Sequence, residues 1–387
     1  MSKATTPAEV WGGVCKHLVC LLAGMAVALS GLGAALPAAQ ADSADIGQVR
    51  KLSAGFRHNL NITSDGTLWT WGYNKFGQLG DGTTTTRRSP VKVLSNVATV
   101  AAGFTHSMAV KKDGTLWAWG GNECGQVGNN STVTRLTPVQ VMTGVATVAA
   151  GDCHSLAVKT DGSLWVWGDN WYGQLGDGST TYRKTPIKLM DNVKSVAASD
   201  AFTLVVKKDG TLHSFGSSFA GQLGDGSESD QHSPVQVATG VAAAAAGDFH
   251  TLVIKTDGTV WAWGHNWHGE VGANLPFTHI HDQVQVLTGA KAIAAGGFSS
   301  FAIKTDGTLW AWGDNWYGNL GDSTHITRRA PVKVFSGISA VAAGGDYYTL
   351  FKKTDGTMFA LGFNYFGQLG DGTTYDRQKH DDHCDLG

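Results

Sequence analysis

The sequence predicts an all-β, seven-bladed β-propeller built from seven repeats of 48–49 residues. An Asp-Gly turn recurs at Asp65-Gly66, Asp113-Gly114, Asp161-Gly162, Asp209-Gly210, Asp257-Gly258, Asp306-Gly307 and Asp355-Gly356, and its glycines are spaced by 48, 48, 48, 48, 49 and 49 residues. Each period holds four short β-rich runs punctuated by Gly, Asp and Pro. No amphipathic stretch of helical period follows residue 41. Four strands per repeat, seven times over, suit blades packed radially on one another. An open solenoid needs capping repeats, and none is visible in the chain.

The strands of one unit are Pro90–Val93, Val97–Ala102, His106–Lys112 and Thr115–Trp119. An Asn-x-x-Gly-Gln-Leu-Gly element follows, clearest at Asn74–Gly80, Asn170–Gly176 and Asn364–Gly370. The strands are apolar at nearly every inner position, as when both sheet faces are buried. Trp117 and Trp119 are therefore both expected in the core. Some repeats depart from the pattern. The fourth carries His213 and Phe215 for the two tryptophans, the seventh Phe359 and Leu361, and the fifth has Gln283 for the strand proline. The propeller is assigned to residues 42–372 and a polar tail to 373–387. Val49–Gly55 is expected to begin a blade whose fourth strand is missing or comes from the tail. The junction of the first and last repeats would then open first.

Residues 1–41 carry an address. Lys3, Lys16 and His17 precede the uncharged stretch Leu18–Leu36, and Ala39-Gln40-Ala41 supplies a small-residue cleavage site. That order is a secretory signal peptide, with the mature chain secreted, periplasmic or on the cell surface. Membrane attachment is expected only if this segment is retained. The mature chain keeps Cys124, Cys153 and Cys384, an odd number. Cys124 and Cys153, in loops of consecutive repeats, are a possible disulfide. Composition narrows the partners. Glycine is 52 of 387 residues and tryptophan 14, while 29 Lys+Arg nearly balance 31 Asp+Glu. Near-neutral charge gives no electrostatic reason to expect nucleic acid.

The combination A-A-G-x-x-H-[ST], K-x-D-G-x-L-W-x-W-G and N-x-x-G-Q-L-G, across residues 46–372, resembles the regulator-of-chromosome-condensation repeat family. The resemblance implies a seven-bladed propeller, here an exported member of bacterial type. The family includes a nuclear regulator of the Ran GTPase and an exported bacterial inhibitor of β-lactamase. None of the nuclear protein's exchange residues is matched in this chain.

No P-loop, His-Glu-x-x-His, G-x-S-x-G or C-x-x-C motif stands in the sequence, so no enzyme activity and no cofactor is expected. His58, His106, His154 and His250 hold one place in four repeats, where the ring spreads them apart, and structural hydrogen bonding is expected of them. His265, His268, His279 and His281 cluster in the fifth repeat, but no metal is assigned to them. Gly80-Asp81-Gly82 and its equivalents are turns rather than calcium loops, since they lack enough oxygen ligands.

Strand alternation places the Gly-x-x-His and Asn-x-x-Gly loops on one face. The position after the loop Asn, or its equivalent, holds Lys75, Glu123, Trp171, Phe219, Trp267, Trp316 and Tyr365. Phe249, Phe298, Tyr347, Asp152 and Asp248 join that face from the other loops. Aromatics rimmed by carboxylates have the makeup of a recognition surface. The expected function is a binding propeller that holds a protein partner, including as an inhibitor or regulator of an extracellular enzyme. A carbohydrate- or cell-surface-binding propeller is the alternative, and a nucleotide-exchange-type regulator of a GTPase is a third reading.

Overall fold

The computed structural model describes residues 51–276 and 278–378. The signal-peptide assignment, Cys384 and the end of the tail lie outside those residues. The described residues form seven antiparallel sheets, six of four strands and a last of three. Strand order in every sheet follows chain order. The first blade is Leu52–Ala54, His58–Ile62, Leu68–Gly72 and Arg87–Leu94. The second and third strands of each blade are buried almost throughout, whereas the outermost is half-buried to exposed along its whole length.

The hairpin between second and third strands is closed by the recurring Asp-Gly. Asp65 Oδ1 accepts from the Thr67 amide (3.0 Å). Gly66 takes φ +84°, in the left-handed region that costs other residues a steric penalty. The glycine after Ala-Ala has a different reason. A Cβ on Gly151 would collide with the His154 ring, so only glycine lets the imidazole lie over the backbone.

Those four histidines are fully buried, and each binds a hydroxyl of the next blade. His58 Nε2 meets Ser107 Oγ at 2.8 Å, His106 meets Ser155 at 2.9 Å, His154 meets Thr203 at 3.0 Å and His250 meets Ser300 at 2.8 Å. The hydroxyl in turn donates to a backbone carbonyl of the preceding blade, as Ser107 does to Gln78 (2.7 Å). Burial holds His58, His154 and His250 down to about 3 and His106 to about 4.

Apolar side chains gather in seven clusters between blades. Trp119 of the second blade packs on Leu60, Ile62 and Leu68 of the first. Only one tryptophan of each strand is core, which corrects the expectation for Trp117. It is half-buried, its indole N–H bonds Thr115 (3.0 Å), and Lys111 lies 4.5 Å over its ring. Trp165, Trp261 and Trp310 are covered in the same way by Lys159, Lys255 and Lys304. A strand-end lysine shields the outward tryptophan and keeps its own charge in water.

The ring also closes differently from the expectation. The strand at Leu52–Ala54 is the innermost of a complete blade. The incomplete blade is the last, with Ile338–Ala343, Tyr348–Lys353 and Met358–Gly362. The tail starts its fourth strand, since Arg377 pairs with Gly362 as Arg87 pairs with Gly72. Where the last blade meets the first, Tyr348 Oη lies 3.0–3.1 Å from Gly55 O, His58 O and Asn59 Oδ1. Trp71 and Asn59 both donate to Gln368 O, and Arg57 pairs with Asp346 at 2.7 Å. The sixth and seventh blades lack this stitching. Leu361 has no indole N–H, Ser299 replaces the histidine, and the buried Thr349 Oγ1 has no hydrogen-bond partner. Stacked rings of Phe351 and Phe359 (5.0 Å), with Phe335 and Phe301, fill that junction instead.

Two outcomes are expected. Hydrogen exchange should be slower at His58–Ile62, on the closing junction, than at Tyr348–Lys353, which borders the unstitched one; the reverse order would show that tail pairing controls closure. The depressed histidine values mean that the unfolded chain binds protons which the folded chain refuses. Stability is full above about pH 6.5 and falls as the solution is acidified, approaching about 5 kcal/mol per pH unit for four sites between their unfolded and folded values. Urea denaturation between pH 7 and 5 measures this slope, and His106→Gln should reduce it.

Candidate partner-binding face

Each Asn-x-x-Gly loop is held from within. Asn74 Nδ2 donates to Asp81 Oδ1 and to the carbonyls of Thr83 and Thr85 (3.0–3.1 Å), while Asn74 Oδ1 accepts from the Leu79 amide (3.0 Å). Gln78 Oε1 receives the Phe76 amide (3.0 Å). The carboxylate of the Gly-Asp-Gly turn binds an arginine six residues on, as Asp81 does Arg87 (2.7 Å). The same clasp joins Asp177 to Arg183, Asp322 to Arg328 and Asp371 to Arg377. Asparagine, aspartate and arginine are therefore committed to loop architecture, and the residue after Asn is left pointing outward.

That residue is exposed in all five aromatic cases: Trp171 by 74%, Trp316 by 69%, Tyr365 by 66%, Trp267 by 59% and Phe219 by 46%. They occupy five consecutive blades, the third to the seventh, and Lys75 and Glu123 take the place in the first two. The position just before the loop glycine behaves otherwise. Phe76, Tyr172, Tyr317 and Phe366 are half-buried packing residues.

Phe249, Phe298 and Tyr347 form a half-buried inner tier, in which Phe298 stacks on Tyr347 and Phe249 is tilted against Phe298. Phe249 is 6.0 Å from Phe298, and Phe298 is 6.1 Å from Tyr347. Phe249 also meets the outer tier, edge-on to Phe219 at 4.9 Å. Inside them opens an axial channel of about 620 Å³, walled by the alanines of the innermost strands. Asp152 and Asp248 stand at its mouth on this face, with Phe56 and Phe104. Burial, then the negative charge of Asp200 and Asp346, pushes Asp248 up to about 7. Burial likewise raises Asp200 and Asp346, the latter partly offset by Arg57.

Sequence reasoning missed part of the surface. Val133, Tyr182, Ile326 and Tyr375 are also exposed, and all lie in the segments between third and fourth strands. Each is a large side chain within a Ser/Thr-rich run before the outermost strand, a signal that the sequence does carry. Leu136 lies at the same end. All ten large exposed hydrophobic residues among the described ones thus belong to one face, and the Asp-Gly face has none. No disulfide joins Cys124 and Cys153. Cys124 N is tied within its own loop to Gln126 Oε1 (3.0 Å), whereas Cys153 O accepts from the Asp169 amide of the neighbouring loop in its blade (2.8 Å).

These features define a repeat propeller with one apolar, carboxylate-rimmed face. The chain belongs to the regulator-of-chromosome-condensation (RCC1) family. An RCC1-like domain matches residues 31–274, and RCC1 repeats match 290–319 and 306–351. Among solved structures, yeast RCC1 (Prp20) bound to Kap60 is similar with a TM-score of 0.75 at 18% identity, covering 93% of this chain and 90% of that one. Human WBSCR16 is similar with a TM-score of 0.74 at 19% identity, covering 83% and 94%. At such identities the likeness establishes the fold. The ultraviolet-B receptor UVR8 of Arabidopsis thaliana is 49% identical over 45 residues, 12% of this chain and 10% of that protein. The match therefore spans about a tenth of that curated relative.

Asp248 supplies a prediction. Its folded value lies above the unfolded one of 3.8, so the folded state keeps a proton that the unfolded chain sheds. The associated stability is lost as pH rises towards 7. Asp248→Asn should leave stability unchanged near pH 4 and raise it at pH 8 by roughly 2 kcal/mol, allowing for solvent at the channel mouth. Denaturant midpoints at the two pH values test this; equal midpoints at pH 8 would place the carboxylate in open water.

Proposed function

We propose that the chain is an exported, non-catalytic binding propeller that recognises a protein partner through its aromatic loop face, inhibition or regulation of an extracellular enzyme being a special case of this role. The observation that carries this reading is the confinement of every large exposed hydrophobic among the described residues to one face. A soluble protein rarely leaves such an apolar surface without a use. Rigid aromatic side chains on braced loops lose little conformational freedom when they dock. Export rests on the order of charges, apolar stretch and small residues in 1–41. Protein partners occur among its structural relatives: yeast RCC1 (Prp20) is bound to Kap60, and Prp20p from Saccharomyces cerevisiae binds Gsp1p and histones.

Crosslinking in the native culture, followed by mass spectrometry, identifies the partner. Amino-terminal sequencing of the secreted form should begin at Asp42. A standard protein interface buries about 1,600 Å² in total, an area that several neighbouring loops together can supply. Replacing Trp171, Trp267 or Trp316 with Ala should weaken partner binding by on the order of 2 kcal/mol, about thirtyfold, with an unchanged melting temperature. Trp119→Ala should instead cost about 3–5 kcal/mol of stability through a core cavity. If Trp171→Ala melts as early as Trp119→Ala, the loop tryptophans belong to the packing. Capture of a polysaccharide in place of a protein would favour the carbohydrate reading.

A further inference from the structure

We propose that Glu228, His279 and His281 form a binding site for a divalent transition-metal ion of the zinc class, bridging the fourth and fifth blades. Glu228 belongs to the loop before the outermost strand of the fourth blade. His279 and His281 flank the start of the outermost strand of the fifth, Ile280–Leu287. Glu228 Oε1 lies 2.9 Å from His279 Nδ1 and 3.1 Å from His281 Nε2, and the three donor atoms all fall within 4.8 Å of one another. Around a tetrahedral zinc with bonds of about 2.0–2.1 Å, donors stand roughly 3.3 Å apart. Small side-chain shifts therefore open the cluster enough to admit an ion. Two imidazoles with one carboxylate suit zinc, copper or nickel and disfavour magnesium and calcium, which take oxygen ligands.

The fold's own repetition makes the cluster unusual. In four other repeats the segment entering the outermost strand is clasped by an Asp–Arg pair, as in Asp81–Arg87 and Asp322–Arg328, and in the fourth by Asp225 and Gln231 (2.8 Å). In the fifth repeat Ala273 stands in place of the aspartate, Ile280 in place of the arginine, and the segment is one residue longer. The internal clasp is gone, and the segment is tied to the neighbouring blade through Glu228. Packing explains part of this. His281 covers Gly221 of the fourth blade, as Leu136 covers Gly77 and Arg329 covers Gly269. It does not explain why both imidazoles turn a nitrogen to one carboxylate oxygen. The site is open to solvent, so an ion with three protein ligands keeps at least one position for water. That position lies on the aromatic face, with His279 edge-on to Phe219 at 6.5 Å.

The test is a zinc titration of the untagged full chain after EDTA treatment and dialysis, read by calorimetry and by melting temperature. One equivalent of zinc should bind with micromolar affinity and raise the melting temperature. Glu228→Gln, His279→Ala and His281→Ala should each weaken binding at least tenfold. Their melting temperatures in EDTA should match the parent, which separates lost ligation from lost folding. His265→Ala/His268→Ala, and a His380→Ala/His383→Ala variant of the tail, should leave that equivalent in place. Absence of zinc binding by the parent overturns the assignment, as does its loss in either control with full retention in the three ligand variants.

Discussion

The structure depends on one repeated hydrogen bond between blades, which ends at the backbone carbonyl of the glutamine in Asn-x-x-Gly-Gln-Leu-Gly. Gln78 O receives both the indole N–H of Trp119 (2.8 Å) and the hydroxyl of Ser107 (2.7 Å) from the next blade. Ser107 and Trp119 are cross-strand partners, so one register delivers both donors. The pattern repeats at Gln126, Gln222 and residue 270, where glutamate keeps the same carbonyl. A buried carbonyl left without a partner would cost about 1–3 kcal/mol. Except between the sixth and seventh blades, each blade thus donates to its predecessor's loop carbonyl, and every tryptophan in this role fills a blade junction and satisfies its own polar atom.

This constraint also shapes the surface. The loop that presents the carbonyl must hold still, and Asn, Gln, Asp and Arg side chains brace it from inside. The next residue along is then free of structural duty and points outward on a rigid base. Interior order and surface display are two sides of one turn. Trp171, Trp267 and Trp316 are accordingly displayed on a rigid base, and in the proposed docking such preorganised side chains would lose little entropy. Asp248 at the channel mouth adds charge that varies near neutral pH, because burial, and after it the charge of Asp200 and Asp346, disfavours its ionised form.

Much of this was legible in the chain. A period of 48–49 residues, Asp-Gly turns and paired strand tryptophans imply blades, and loop polarity places the aromatics on one face. Other features depended on neighbours far along the chain. Trp117 and Trp119 look alike in the sequence, but alternation turns one into the junction and the other towards Lys111. The strength of the closing junction lay in Tyr348, which takes a histidine's place and reaches three groups of the first blade. No local pattern distinguishes a tyrosine that fills such a gap from one that replaces histidine with loss.

By itself the sequence determined the repeat, the strands and the side of the ring on which the aromatics stand, because these follow from periodicity and turn chemistry within each unit. The tertiary structure decided which aromatics are exposed, how the ring closes, and that Glu228 meets His279 and His281 from another blade. Those outcomes depend on contacts between repeats, where residues some fifty or three hundred positions apart in the chain share one junction. Only closure of the ring brings them together.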